Sequence, residues 1–510
     1  MLSIIRSLTL QGMDALEIQV EVDVSQGLPS FDLVGLPDAS VRESRERVRT
    51  AIKNAGFQFP NKRITINLAP ADLKKEGPGF DLPIAIGILA SSGQIKTENW
   101  KDCYFTGELS LKGELRGIPG VLSMSATLAN SNQGEDSFIV PKGNALEAAL
   151  TDHKQIIPLD NLLEVVSFLE GSLFFEPFQV DISAFFKNQQ TTAFNFNQIR
   201  GQASVKRGLE IAAAGGHNVM LIGPPGSGKT LLAKSLPGIL PPMNVEEAIK
   251  VNQIYSVAGL LSPDQPFITE RPFRTPHHTA STASVIGGGR NPRPGEISLA
   301  TYGVLFLDEL LEFRRDVLEG LRQPLEDRQV TVTRVQAAYN FPADFLLVST
   351  ANPCPCGYYG DRERECSCTP YQIQKYRSRL SGPLLDRIDL QIEVPRLTLK
   401  EVQTEEYGED SATIRERVTE ARKRQEKRLE KRGLFYNAQI QGALIKRFCK
   451  SDSRGLELLH RAYHQFKLSM RAHDRILKIS RTIADLDGKE QIQQEHIAEA
   501  LQYRLWDREA

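Results

Sequence analysis

The run Gly223, Pro224, Pro225, Gly226, Ser227, Gly228, Lys229, Thr230 follows the apolar stretch Val219–Ile222 and opens a helical segment from Leu231. Glycines in such a turn leave backbone N–H groups free to face phosphate oxygens. The lysine adds a positive charge, and the neighbouring hydroxyl can reach Mg²⁺. Lys229 is therefore expected to hold the phosphates of ATP, and Thr230 to enter the Mg²⁺ shell. A second apolar stretch, 304–307, ends in Asp308 and Glu309. Carboxylates at the end of a buried strand are costly unless they serve a cation or a water. Asp308 is expected at the Mg²⁺, and Glu309 is expected to orient and activate the attacking water. A third stretch, 345–350, leads to Asn352, placed to polarise that water. Arg387 stands between apolar residues and acids in the run 384–390, as a group held ready for the γ-phosphate of a neighbouring subunit. Arg471, in the helical tail, is expected to reach the same nucleotide from above. Arg475, one turn further on, is its nearest rival.

A second cluster is sulfur. Cys354 and Cys356, then Cys366 and Cys368, form two CxC pairs nine residues apart. Four thiolates at that reach can build a tetrahedral structural Zn²⁺ site. Iron–sulfur ligation and free thiols are the alternatives. His277–His278 has no acid or cysteine at ligand spacing, so a role in loop contacts is expected of it.

The elements that must position these groups can be read from periodicity. Ile18, Val20, Val22 and Val24 alternate with polar residues, which predicts a strand with one buried face. Residues 38–55 fit a helix, 64–67 a strand, 82–89 an apolar helix, 105–116 a hairpin and 138–141 a strand end. The expected division is an α/β domain over 1–168, a linker over 169–198, an α/β nucleotide core with a parallel sheet over 199–397, and a helical lid over 398–510. The linker aromatics Phe174, Phe175, Phe178, Phe185 and Phe186 are expected to pack on a neighbouring domain. Within 411–432 the basic residues crowd the end of a charged helix, and Gly433 is a natural stop.

The chain has 510 residues, 41% hydrophobic and 25% charged, with a formal net charge of -1. That length implies more than one domain. The charge balance excludes a uniformly basic nucleic-acid coat but leaves room for one local basic face. Six cysteines in this length are no disulfide scaffold. The N-terminus does not read as a secretory signal, and no stretch of about 18 apolar residues occurs. The cytoplasm is the expected compartment.

The motifs together resemble the AAA+ ATPases, and within them the magnesium-chelatase-like ComM/YifB family. Gly201–Gln202, the run 212–218 (AAAGGHN), Thr275–Pro276–His277–His278 and the run 381–387 (SGPLLDR) carry that likeness over nearly the whole chain. Members of the family are ring-forming, usually hexameric ATPases, and the best understood of them promote branch migration during uptake of transforming DNA. The resemblance thus implies a DNA-acting hexamer with helicase-like activity. It also implies two pore-facing decorations, an insertion at 279–297 and a hairpin at 326–336. Arg290, Arg293, Arg328 and Arg334 are the candidates there for phosphate contacts that do not read sequence. The N-terminal domain resembles the proteolytic domain of Lon through Gly77–Pro78–Gly79, Gly107–Glu108–Leu109, Gly117–Ile118–Pro119–Gly120 and Ile139–Val140–Pro141–Lys142. Lon uses a serine–lysine dyad, and the matching positions hold Gly79 and Leu122, so peptidase chemistry is not expected. The rival readings are a protein-remodelling or chelatase-like motor and a nucleotide-gated scaffold that barely hydrolyses.

Overall fold

The computed structural model describes residues 2–131, 136–153, 155–186, 194–261, 267–289, 291–334, 338–361, 363–397 and 408–504. The chain forms two compact units. One comprises Met1–Asn188, Val245–Thr269 and Thr331–Phe341; the other comprises Gln189–Asn244, Glu270–Val330 and Pro342–Ala510. The spatial units therefore cross the boundaries drawn along the sequence.

The first unit is built on a seven-stranded mixed sheet. Leu2–Gln11 and Asp14–Ser25 form an antiparallel hairpin with Ile5 opposite Val20. The alternation at Ile18, Val20, Val22 and Val24 buries all four side chains. Helix Asp81–Ser91 is buried along its whole length. It lies so close to the sheet that a Cβ on Gly87 would stand 2.5 Å from Val22 Cγ2. The helix Val245–Ala258 belongs to this unit by packing. Its Ser256 carbonyl accepts from Gly120 N at 3.1 Å. No local pattern announces that, because the partner lies more than a hundred residues upstream.

Gly79, expected to match the position of a Lon-type serine, has side chains close above it. A Cβ on Gly79 would meet Ile118 Cδ1 at 2.9 Å and Thr106 Oγ1 at 3.1 Å. Leu122, expected to match the lysine position, is fully buried. Gly79→Ser is accordingly expected to cost about 1–3 kcal/mol of stability through overpacking and to produce no peptidase. Denaturant unfolding and a casein-cleavage assay would check both.

Among the linker aromatics, Phe175 packs on Phe168 at 6.3 Å between centroids, and Phe185 and Phe186 sit edge-on to Phe267. Phe174 and Phe178 depart from expectation: they are 85% and 37% exposed.

The second unit carries a five-stranded parallel sheet in the order Phe273–Arg274, Val304–Leu307, Leu346–Ala351, Val219–Ile222, Leu390–Glu393. The three strands Val219–Ile222, Val304–Leu307 and Leu346–Ala351 are buried residue by residue, as parallel strands covered on both faces must be. Helices Ser411–Leu429 and Met470–Leu486 pack on helix Ala203–Gly215. Strands and tail helices share one hydrophobic cluster, with Leu221, Ile392, Val418 and Ile483 all fully or nearly fully buried. The charged helix is closed by Glu430–Arg432 and by Gly433 in the left-handed conformation. No helix among the described residues is long and apolar enough to cross a membrane.

Candidate active site

Parallel strands deliver their following loops to one edge of the sheet, and a ligand site forms there where neighbouring strands diverge. Strand Val219–Ile222 is flanked by Leu346–Ala351 and Leu390–Glu393. The loop from Gly223 leaves from this edge. A Cβ at Gly223 would fall 2.2 Å from Val394 O, so only glycine fits the exit. Gly226 and Gly228 both take positive φ, 78° and 89°. Helix Lys229–Ser235 begins there, so Lys229 stands at its first turn. Its Nζ donates to Gly223 O at 2.7 Å and to Pro224 O at 2.8 Å, and reaches Asn352 Oδ1 at 3.4 Å. Burial pulls the Lys229 ammonium below its ordinary range, and Asp308 and Glu309 work against that shift.

The acids arrive from the strand Val304–Leu307, next but one to Val219–Ile222 in the sheet. Thr230 Oγ1 donates to Asp308 Oδ2 at 3.2 Å, and Thr350 Oγ1 to Asp308 Oδ1 at 2.5 Å. Thr350 Oγ1 also accepts from Glu309 N at 2.8 Å. Glu309 takes the left-handed conformation, φ 53°, which costs a non-glycine residue about 1–2 kcal/mol. That turn leaves its side chain exposed while Asp308 stays tied to two hydroxyls. Lys229, Thr230, Asp308, Glu309 and Asn352 thus share one edge. Thr350 was not singled out by the sequence reading, although a hydroxyl at the end of a buried apolar strand was a usable signal.

The arginines lie at the opposite edge. Asp389 N and Leu390 N both donate to Asn218 O, just before the central strand begins. Arg387 is bound there: it donates to Pro383 O at 2.7 Å and pairs with Glu326. Arg471 stands 3.6 Å from Asp386, and Arg475 Nε 3.1 Å from Asp389. Four strand residues separate this edge from Gly223, about 13 Å of backbone. Arg387 and Arg471 come together, but neither reaches the phosphate loop of its own chain. With Arg475 they line a cavity of about 350 Å³, and Arg387 Nε and Arg475 Nη1 are buried there without a hydrogen-bond partner. Against its burial, Asp389 is held far below the ordinary carboxylate range by His217, Lys478 and Arg475.

Three family models cover this chain: magnesium chelatase subunit ChlI over residues 195–402, a second ChlI model over 20–144, and the ChlI C-terminal region over 408–504. Competence protein ComM of Haemophilus influenzae is 47% identical over 514 residues, covering 99% of this chain and 97% of the relative. YifB of Escherichia coli is 44% identical, covering 99% and 98%. The chain belongs to the ComM/YifB family of magnesium-chelatase-like AAA+ proteins. The likeness to the chelatases themselves is more distant. Subunit ChlI of Euglena gracilis is 24% identical over 284 residues, 47% of this chain and 74% of the relative.

In this ComM/YifB protein the four clustered cysteines converge. Cys354 Sγ is 3.4 Å from Cys356 Sγ and 3.7 Å from Cys366 Sγ, Cys356 Sγ is 3.6 Å from Cys366 Sγ, and all four sulfurs lie within 4.8 Å of one another. Thiolates about 2.3 Å from a Zn²⁺ stand about 3.8 Å apart in a tetrahedron. Backbone N–H groups of Tyr359, Cys356 and Cys368 point at the sulfurs of Cys354, Cys368 and Cys366, as they do where thiolates carry charge. The donor set therefore fits the metal. His277 and His278 instead lie ring on ring, 4.1 Å apart.

The segments expected to be decorations contain small two-stranded ribbons: Gly287–Gly288 antiparallel to Arg293–Pro294, and Gln329–Thr333 beside Ala338–Pro342. The second ribbon runs past 336, because its return strand uses residues the sequence reading left out. Arg328 differs from the expected phosphate contact. It sits before that ribbon in the left-handed conformation, with its guanidinium on Asp344 at 3.1 Å and on Tyr436 at 2.6 Å. It braces the base of the hairpin and is not a free phosphate contact. Arg293 and Arg334 are exposed. Arg290 lies outside the described residues.

Proposed function

We propose that this chain is a Mg²⁺-dependent ATPase that works as a ring, a hexamer by family habit, and moves DNA in the manner of a branch-migration helicase. The observation that carries the reading is the convergence of Lys229, Thr230, Asp308, Glu309 and Asn352 at one sheet edge, with Arg387 and Arg471 at the other. A site split in this way is completed by a second copy of the chain.

Lys229 and the backbone N–H groups of 226–230 hold the β- and γ-phosphates. Thr230 and Asp308 hold Mg²⁺, which neutralises charge developing on the phosphate oxygens. Glu309 takes the proton of the attacking water, with Asn352 orienting it. Arg387 and Arg471, from the neighbouring subunit, stabilise the transition-state charge. Cys354, Cys356, Cys366 and Cys368 hold a structural Zn²⁺. DNA is favoured as the track because the Haemophilus relative, matched nearly end to end, is named a competence protein. The exposed Arg293 and Arg334 also suit backbone contacts. The cytoplasm is the fitting compartment.

Phosphate release with single-stranded, double-stranded and branched DNA, against an unfolded-protein control, tests the reading. DNA is expected to stimulate hydrolysis, branched DNA most. Stimulation by unfolded protein and not by DNA would transfer the chain to the remodelling or chelatase-like class that the ChlI models also allow.

A further inference from the structure

The cysteine loop touches the phosphate loop at two points. Gly357, between the two CxC pairs, is buried and takes φ +86°. A Cβ there would stand 2.7 Å from Pro225 Cδ and 2.9 Å from Pro225 Cγ. The backbone of the sulfur loop therefore lies directly on a ring of the phosphate loop. The second point is Arg396, just past the last sheet strand. Its Nε is 3.3 Å from Asp361, whose carboxylate caps the backbone of Glu363 and Arg364 in the stretch between the CxC pairs. Another nitrogen of the same guanidinium reaches Pro225 O at 3.5 Å. The first cysteine also follows Asn352 by two residues, and Asn352 receives the Lys229 ammonium.

We propose that Zn²⁺ in the four-cysteine loop sets the shape of the phosphate loop, through Gly357 against Pro225 and through the Asp361–Arg396–Pro225 chain, so that nucleotide affinity depends on zinc occupancy. This deepens the ATPase reading above and rests on it. Without an ion to gather the four thiols, the stretch between the pairs is held by turn hydrogen bonds and by surface ion pairs and ring contacts, such as Arg396 with Asp361 and Glu363 and Arg377 over Tyr359. Pro225 and Asn352 then lose the surface that fixes them. A phosphate loop that holds its receptive form a tenth of the time binds nucleotide about tenfold more weakly.

The test uses the full chain, its zinc content by mass spectrometry, and Mg²⁺-dependent binding of a fluorescent N-methylanthraniloyl ADP. The wild type is expected to carry about one zinc per chain. Cys366→Ser/Cys368→Ser is expected to lose the zinc and to bind at least about tenfold more weakly. Gly357→Ala is expected to keep the zinc yet show the same loss, because its methyl group displaces Pro225. Arg396→Ala, at a partly exposed side chain that poses little risk to folding, is expected to keep the zinc and to weaken binding in the same direction. Wild-type affinity in the zinc-free protein, or in zinc-loaded Gly357→Ala and Arg396→Ala, overturns the coupling and leaves the ATPase reading standing. A wild type without zinc overturns it at the metal. A wild type that binds no nucleotide overturns the ATPase reading itself.

Discussion

Glu309→Gln is expected to bind MgATP like the wild type and to turn it over at least about a hundredfold more slowly, the usual effect of losing a positioned general base. The substitution keeps the shape of the side chain and its left-handed backbone, so Glu309 N still reaches Thr350 Oγ1. It removes only the ability to accept a proton. The division of labour between the two acids is visible in their surroundings. Asp308 accepts from two threonine hydroxyls and is committed to them. Glu309 is exposed beyond the strand end. Equilibrium nucleotide binding and steady-state phosphate release, measured on the same preparation, check the result. Wild-type turnover would mean that another group activates the water.

Arg387→Ala is expected to retain nucleotide binding and to lose about a thousandfold in turnover, the scale of an arginine delivered in trans. Lys229→Ala is expected to lose both. Mixed, the two inactive proteins should recover activity. A Lys229→Ala subunit still supplies Arg387 to the intact phosphate loop of an Arg387→Ala neighbour. The expectation follows from geometry: about 13 Å of strand separates the two groups within one chain, and Arg387 is turned away from its own loop towards Glu326 and Pro383. Titrating one variant into the other at constant total protein, after subunit exchange, should give a curve with an interior maximum. A flat line under conditions where exchange is verified would place the whole reaction within one subunit.

Much of this was legible before the chain folded. The turn from Gly223 to Thr230 is a local device, set by glycine conformations and by an apolar strand feeding a helix, so neighbouring residues suffice to declare it. The buried strands before Asp308 and Asn352 were readable for the same reason, since their apolar runs have no polar break. The alternation at Ile18, Val20, Val22 and Val24 likewise revealed a half-buried strand. Thr350 was overlooked because a lone hydroxyl in an apolar run gains meaning only when a neighbouring strand brings an aspartate within 2.5 Å. Arg328 was misjudged because its partners, Asp344 and Tyr436, lie 16 and 108 residues away. Helix Val245–Ala258 was placed with the core for want of any local mark of its packing against 120.

By itself, then, the order of residues determined the chemistry of each motif: which groups can bear phosphate, magnesium, proton or zinc. Tertiary structure decided the sides. It put Lys229 and the acids at one rim, Arg387 and Arg471 at the other, and the sulfur loop against Pro225. Side-chain chemistry and short-range backbone preference travel with the sequence, whereas the face on which a group ends depends on strand order and on contacts between residues far apart in the chain. Those contacts are chosen by how buried surfaces fit together, and no local pattern records that fit.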